Sequence, residues 1–129
     1  MNNNVQYMVH QPNLLRVMVE LREWENTQCN ELQTLSGRDL YFRIAAGYLD
    51  DANAAQHLKL LQGRMTERST RQRMREFEQQ GLIHVASNAS DQRTKQAVPT
   101  DKFFKHLNEH LAQFKHLCDA QYVMVEKHN

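Results

Sequence analysis

Along most of the 129-residue chain the apolar residues recur at helical rather than alternating spacing. After Pro12, Leu14, Val17, Leu21 and Trp24 lie three and four apart and are followed by Leu32. This predicts a first amphipathic helix over about Asn13 to Leu32. Ser36-Gly37 predicts its break. Leu40, Ile44 and Leu49 predict a second helix over about Arg38 to Leu49, with Asp50, Asp51 and Asn53 as candidate caps for the next element. Ala54, Leu58, Leu61 and Met65 repeat at four, three and four, which predicts a short third helix ending near Gly63. A fourth runs from Thr66 as N-cap to Gly81 just beyond its C-cap, with Thr70, Met74 and Phe77 on one side.

Behind Gly81 the pattern changes. Leu82 to Val85 is rich in β-forming residues, a polar segment follows, and Thr94 to Val98 resumes, which predicts a β-hairpin with "SNASDQRT" as its tip. Beyond Pro99, Phe104, Leu107, Leu111, Phe114, Cys118, Gln121 and Val125 alternate spacings of three and four, flanked by Phe103, His110, Leu117 and Met124. Such a helix carries more apolar surface than one small domain needs. Either it packs over the first helix of its own chain, or the two pair with a second copy. The second arrangement gives Leu14, Val17, Leu21, Phe104, Leu107, Leu111, Phe114 and Cys118 as dimerisation residues. The fold expected is mainly α with a small β-hairpin (α+β).

Composition adds limits. Apolar content of 40% and charged content of 24% are ordinary for one soluble globular domain. No apolar run approaches the ~20 residues that span a bilayer, and the polar start lacks a signal-peptide layout, so a cytoplasmic location without membrane contact is expected. Cys29 and Cys118 alone exclude a disulfide framework. The net charge of +1 hides an uneven distribution. Residues 1–51 hold four Arg and seven acids, residues 52–98 hold eight Lys or Arg and four acids, and the remainder balances. Arg64, Arg68, Arg71, Arg73 and Arg75 fall within twelve residues opposed only by Glu67. That density suits a surface meeting phosphate, although a solvated helix face would also produce it. At about 100° per residue, Arg68, Arg71, Gln72 and Arg75 gather opposite the apolar stripe. Two short helices around Gly63, the second facing outward with Arg and Gln, match a helix-turn-helix whose second helix enters the major groove. Arg can bond twice to guanine and Gln twice to adenine.

A helix-turn-helix followed at once by a hairpin reads as a winged helix. Here the sequence resembles the MarR family of bacterial transcriptional regulators, through "GLI" at the end of the recognition helix, Asp91-Gln92-Arg93 in the wing, and Val98-Pro99-Thr100 leading into another helix. The likeness covers about residues 64 to 105; Pro99 stands where the family usually has Leu, and the third helix matches poorly. It implies a homodimer bound to double-stranded DNA, with Arg68, Ser69, Arg71 and Gln72 on the recognition helix and Asp91 and Arg93 in the wing. Arg93 would enter a narrow minor groove and Asp91 would hold its guanidinium, unless the two form only an exposed hairpin ion pair. Arg64, Arg75 and Lys95 would add positive charge near phosphate. The implied layout is a tail over 1–12, a winged helix-turn-helix over 36–99, and a dimerisation region from 13–35 and 100–129. The resemblance also implies a cavity for a small aromatic effector, with Trp24, Tyr41, Phe42 and Tyr48 as candidate walls or core residues.

Other motifs compete weakly. "HLNEH", His106 to His110, fits the H-x-x-E-H pattern of inverted zinc peptidases, but a hydrolase needs a third ligand and a cleft; no metal, cofactor or enzymatic activity is expected. His57 and His84 read as partly buried polar residues. Cys118 lies on the apolar seam, either as a filler or as an oxidisable switch. The expected function is a dimeric repressor that occludes a promoter, reading an inverted repeat; the alternative is a winged-helix protein-interaction module without DNA binding.

Overall fold

Pro12 stands in the first turn of α1 (Pro12–Gln28), where its missing N–H costs nothing and its fixed φ suits the helix. The computed structural model describes residues 8–50, 56–57, 67–88 and 91–127. α1 ends at Gln28 rather than Leu32. Cys29 leaves helical geometry at φ −123°, and Asn30–Leu32 form a separate 3-10 turn. Gln33 braces the stop: its side-chain amide donates to the Glu25 and Cys29 carbonyls, both at 3.0 Å, beside the backbone bonds these accept from Cys29 and Leu32. Thr34 then caps α2 (Leu35–Asp50) by accepting the Gly37 N–H at 3.0 Å. Ser36-Gly37 thus lies in the first turn of α2 and does not break the chain. Gly37 is required there, because a Cβ would strike the Glu31 carbonyl.

Of the expected third helix, only Gln56–His57 is described, and it forms strand β1 instead of helix. The rest of that segment, including Arg64 and the Thr66 cap, lies outside the described residues. α3 (Glu67–Gln79) buries Thr70, Met74 and Phe77 as its spacing predicts. It closes on Gly81 at φ +77°, with Leu82 N–H bonded to Phe77 O at 2.9 Å and Gly81 N–H to Glu78 O at 3.0 Å. These paired bonds form a Schellman motif, and buried Leu82 and Phe77 supply its apolar contact.

The hairpin is longer than the sequence pattern suggested. β2 (Ile83–Asn88) and β3 (Asp91–Pro99) pair from Ile83↔Pro99 to Ser87↔Lys95, then shift so that Asn88 meets Asp91. Ser87, Asn88 and Asp91–Thr94, expected at the tip, therefore belong to strands. β1 adds to β3 through Gln56↔Ala97, giving the antiparallel order β1-β3-β2. Their polar composition lacks the apolar alternation by which a half-buried strand is read. α4 (Asp101–Lys127) follows, with Thr100 accepting the Phe103 N–H at 3.3 Å as its N-cap. Among the described residues, no helix is long and apolar enough to cross a membrane.

One core joins these elements. Leu32, Leu40, Tyr41, Ile44, Met74, Phe77, Leu82, Ile83, Ala97 and Phe103 are buried in a single cluster. At its edge a carboxylate is buried with them. Glu25 of α1 is 2% exposed and accepts from Arg38 of α2 at 2.6 Å and from His110 Nε2 of α4 at 2.6 Å. The other imidazole nitrogen lies 3.2 Å from the Tyr41 hydroxyl. A parallel pair, Glu31 to His106 at 3.3 Å, fixes the 3-10 turn against α4.

Burial pushes the Glu25 carboxyl up, but hydrogen bonds and attraction from Arg38 and His110 outweigh it and hold its pKa below 4.5. A depressed folded pKa contributes stability that is complete above the ordinary value and is lost as pH falls through the folded one. Glu25→Gln is therefore expected to flatten the acid side of the melting temperature-against-pH curve, while Glu25→Ala costs about 3 to 5 kcal/mol at neutral pH. Thermal melts from about pH 3 to 7 check both, and an unaltered acid limb in Glu25→Gln would contradict the assignment.

Candidate nucleic-acid interface

α3 presents two chemically distinct sides. Thr70, Met74 and Phe77 are turned into the core, while Arg68, Arg71, Gln72 and Arg75 are exposed and Ser69 is half-buried. The periodicity therefore produces the basic face expected of it. Arg73, part of the same cluster in sequence, is half-buried between the two sides and pairs with Glu76 at 2.6 Å. Arg75 Nε reaches back to the Arg71 carbonyl at 3.5 Å, along the exposed side. Arg64 lies outside the described residues. Asp91, Arg93 and Lys95 lie on β3, which pairs with β2, the strand that follows α3 in sequence, but their side chains are outside the described residues.

The end of α3 is held by groups that composition did not flag. Lys102 Nζ donates to the Gln80 carbonyl at 2.6 Å, placing a cation at the negative end of the helix. The Thr100 hydroxyl lies 2.6 Å from the Gly81 carbonyl and 3.0 Å from that of Leu82. Thr100 thus caps α4 and ties it to the end of α3 at one point. Its place after Pro99 and before an apolar run is the sequence signal for this role.

The expected dimerisation residues divide in the structure. Val17 is buried within its own chain; Leu21, Phe104, Leu107 and Cys118 are half-buried, with Phe104 and Leu107 packed against the core. Leu14, Leu111 and Phe114 are exposed, as are Leu15, Met18 and Val19 beside them on α1. α4 thus packs over α1 of the same chain and still leaves an apolar remainder. The "HLNEH" histidines are engaged in that packing: His110 with Glu25 and Tyr41, His106 with Glu31, while Glu109 is exposed. No metal-holding group of three His, Cys, Asp or Glu occurs among the described residues. His84 is exposed rather than partly buried, because it falls on the outward side of β2. Cys29 is buried among carboxylates; desolvation and then Glu31 and Glu25 push its thiol up to about 12, so it is unreactive.

Between α2 and α4 opens a cavity of about 620 Å³, lined by Phe42, Ala45, Ala46, Tyr48, Leu49, Phe104, Leu107, Asn108 and Leu111. Tyr48 and Phe104 meet edge to face across it at 5.3 Å between ring centres. Of the four expected aromatic walls, Phe42 and Tyr48 line this cavity. Tyr41 is in the core and Trp24 stacks on His110 at 5.8 Å.

No protein-family model matches the chain, and no curated protein does. Solved structures do match. The crystal structure of NadR in complex with 4-hydroxyphenylacetate shares 16% identity at a TM-score of 0.56, covering 98% of this chain and 85% of that one. The PcaV transcriptional regulator from Streptomyces coelicolor shares 13% identity at a TM-score of 0.56, over 89% and 82%. A MepR mutant from a multidrug-resistant S. aureus clinical isolate shares 14% identity at 0.52, over 96% and 86%. At these identities the likeness is one of fold: the chain shares the winged-helix fold of these solved structures.

The inward and outward arginines of α3 should separate in stability measurements. Arg73→Ala is expected to lower the melting temperature, whereas Arg68→Ala and Arg75→Ala should each change stability by no more than about 0.5 kcal/mol. Chemical denaturation of the three variants checks this ordering.

Proposed function

We propose that this chain is a sequence-specific double-stranded DNA-binding transcriptional regulator of the MarR family, acting as a homodimer that represses by occluding a promoter. The observation that carries the reading is the two-sided α3, with Arg68, Arg71, Gln72 and Arg75 exposed on a helix whose opposite side is fixed in the core beside a β-hairpin. In this reading α3 enters the major groove, where Arg71 and Gln72 read base edges and Arg68, Ser69 and Arg75 position the helix on phosphates. Arg93 enters the adjoining minor groove, Asp91 orients it, and Lys95 and Arg64 add charge near phosphate. Residues 36–99 form the DNA-binding unit; 13–35 and 100–129 form the dimerisation region. A second copy covers exposed Leu14, Leu15, Met18, Val19, Leu111 and Phe114. A two-fold dimer would set its recognition helices about 34 Å apart and read an inverted repeat.

Selection from random duplexes is the decisive experiment. Enrichment of an inverted repeat is expected, with log affinity falling steeply against log salt. Arg71→Ala should relax base preference at a cost of about 1 to 3 kcal/mol, and Arg93→Ala should weaken preference for A·T-rich flanks. No enriched sequence would sink this reading and favour a protein-interaction module built on the same fold.

The α2–α4 cavity is the place for an effector in this reading. NadR was crystallised with 4-hydroxyphenylacetate and PcaV with its natural ligand. The described residues lining the cavity here are apolar apart from the Tyr48 hydroxyl and the Asn108 amide, and they include no cation. Desolvating a carboxylate there would be costly, so an uncharged aromatic should bind in preference to an anion. In thermal-shift titrations the methyl ester of 4-hydroxyphenylacetate is expected to stabilise the protein more than the free acid does. Ala46→Trp, which places an indole in the cavity, should reduce that difference, and equal shifts from ester and acid would count against the site.

A further inference from the structure

The hairpin touches α3 again beyond the turn at Gly81. Glu78, exposed in the last turn of α3, accepts the backbone N–H of Val85 on β2 at 3.2 Å. Among the described residues β2 is an edge strand, with β3 on one side and no strand on the other. An edge leaves N–H groups without strand partners, and here a carboxylate takes one of them in a charge-assisted bond. The location is an odd one for an acid. Glu78 shares a helix with Arg68, Arg71 and Arg75, and on a helix that meets phosphate a negative charge opposes binding wherever it does nothing else.

The rest of the joint shows what this contact adds. The root of the hairpin is already fixed: Ile83 pairs with Pro99, Thr100 bonds the Gly81 and Leu82 carbonyls, and Lys102 bonds that of Gln80. Those bonds hold the first residue of β2 and the end of α3 to α4. At the level of Val85 the hairpin also meets the core, since Val85 packs half-buried against it and its partner Ala97 is buried in it; the Glu78 bond adds a directional tether to that apolar contact. Val85 is two residues further out, with three more to Asn88 at the end of the strand, a reach of about 10 Å. A swing of about 10° at Val85 would move that end by about 2 Å, a third of the width of a minor groove of about 6 Å. We infer that Glu78 is a positioning residue: by holding Val85, it sets the angle between α3 and the wing so that both can occupy adjacent grooves at once. The inference rests on the DNA-binding reading and adds to it a residue that touches no base.

Two substitutions separate its bond from its charge. Glu78→Gln keeps an oxygen that can accept from Val85, whereas Glu78→Ala does not; both remove the negative charge and should raise affinity for all duplexes alike. Selection from random duplexes with wild type and both variants is expected to give one central preference, read by α3, in all three. Flank preference, read by the wing, should persist in Glu78→Gln and fall about fivefold or more in Glu78→Ala. Amide exchange at Val85 in the free protein should accelerate in Glu78→Ala alone, a readout that needs no DNA. Equal flank preference in the two variants, or unchanged Val85 exchange in Glu78→Ala, overturns the inference while leaving the regulator reading intact. Failure of wild type to enrich any sequence overturns both.

Discussion

A carboxylate taken out of water between three helices constrains everything around it. Glu25 is tolerable at 2% exposure only because Arg38 and His110 both reach it, so α2 and α4 must each lie at a fixed position against α1. With Nε2–H donated to Glu25, the His110 ring can accept from the Tyr41 hydroxyl through Nδ1, which leaves no polar atom of the imidazole unsatisfied. Tyr41 is itself fully buried beside Phe103, so the polar chain runs directly into the apolar core. Apolar packing alone would let these helices slide along one another at small cost. The directional bonds specify one register.

That register determines where the basic face of α3 lies. α2 contributes Leu40 and Ile44 to the cluster that receives Met74 and Phe77 of α3, and α4 begins at the bonds from Thr100 and Lys102 to the end of α3. The basic face of α3 is thus held from behind by α2 and at its end by α4, both located by Glu25. Positive φ at Gly81 completes the arrangement, since it turns the chain from α3 into β2 while Leu82 returns to the core against Phe77.

Much of this was legible in the sequence, for a physical reason that also explains the parts that were not. The two sides of α3 follow from spacing alone, because a helix half in the core must alternate at 3.6 residues; Thr70, Met74 and Phe77 could face nowhere else. Gly81 announced its own turn. Helix ends were misplaced where side chains decided them. Gln33 and Thr34 brace the end of α1 and start α2 through hydrogen bonds that hydrophobic spacing does not encode, and Gly37 answers to the Glu31 carbonyl rather than to a break. β1 escaped notice because a two-residue strand has no periodicity. His110 counted as a flank of the apolar seam, since nothing at position 110 reveals that a glutamate 85 residues earlier needs it. At the candidate interface, the arginine cluster included Arg73, but the helical period left it off the outward side, and its partner Glu76 turns it toward structure.

The Glu25 network and the α2–α4 cavity lie on either side of a shared wall, and that adjacency ties the two together. Phe42 lines the cavity, lies under the Arg38 guanidinium at 5.6 Å, and stands 6.0 Å from the His110 ring. If the chain is the regulator proposed above, a molecule entering the cavity could alter DNA binding only by favouring one spacing of α2 and α4 over another, because equal affinity for both shifts nothing. A change in that spacing would act on the helices that carry Arg38 and His110, and so on their bonds to Glu25. The buried carboxylate is therefore the natural resistance to that motion. It makes the alternatives few and distinct, as a joint of directional bonds between rigid helices yields two packings more readily than a continuum. Since Thr100 and Lys102 bond the end of α3, a displacement of α4 in that reading would have a route to the basic face that does not pass through the hairpin.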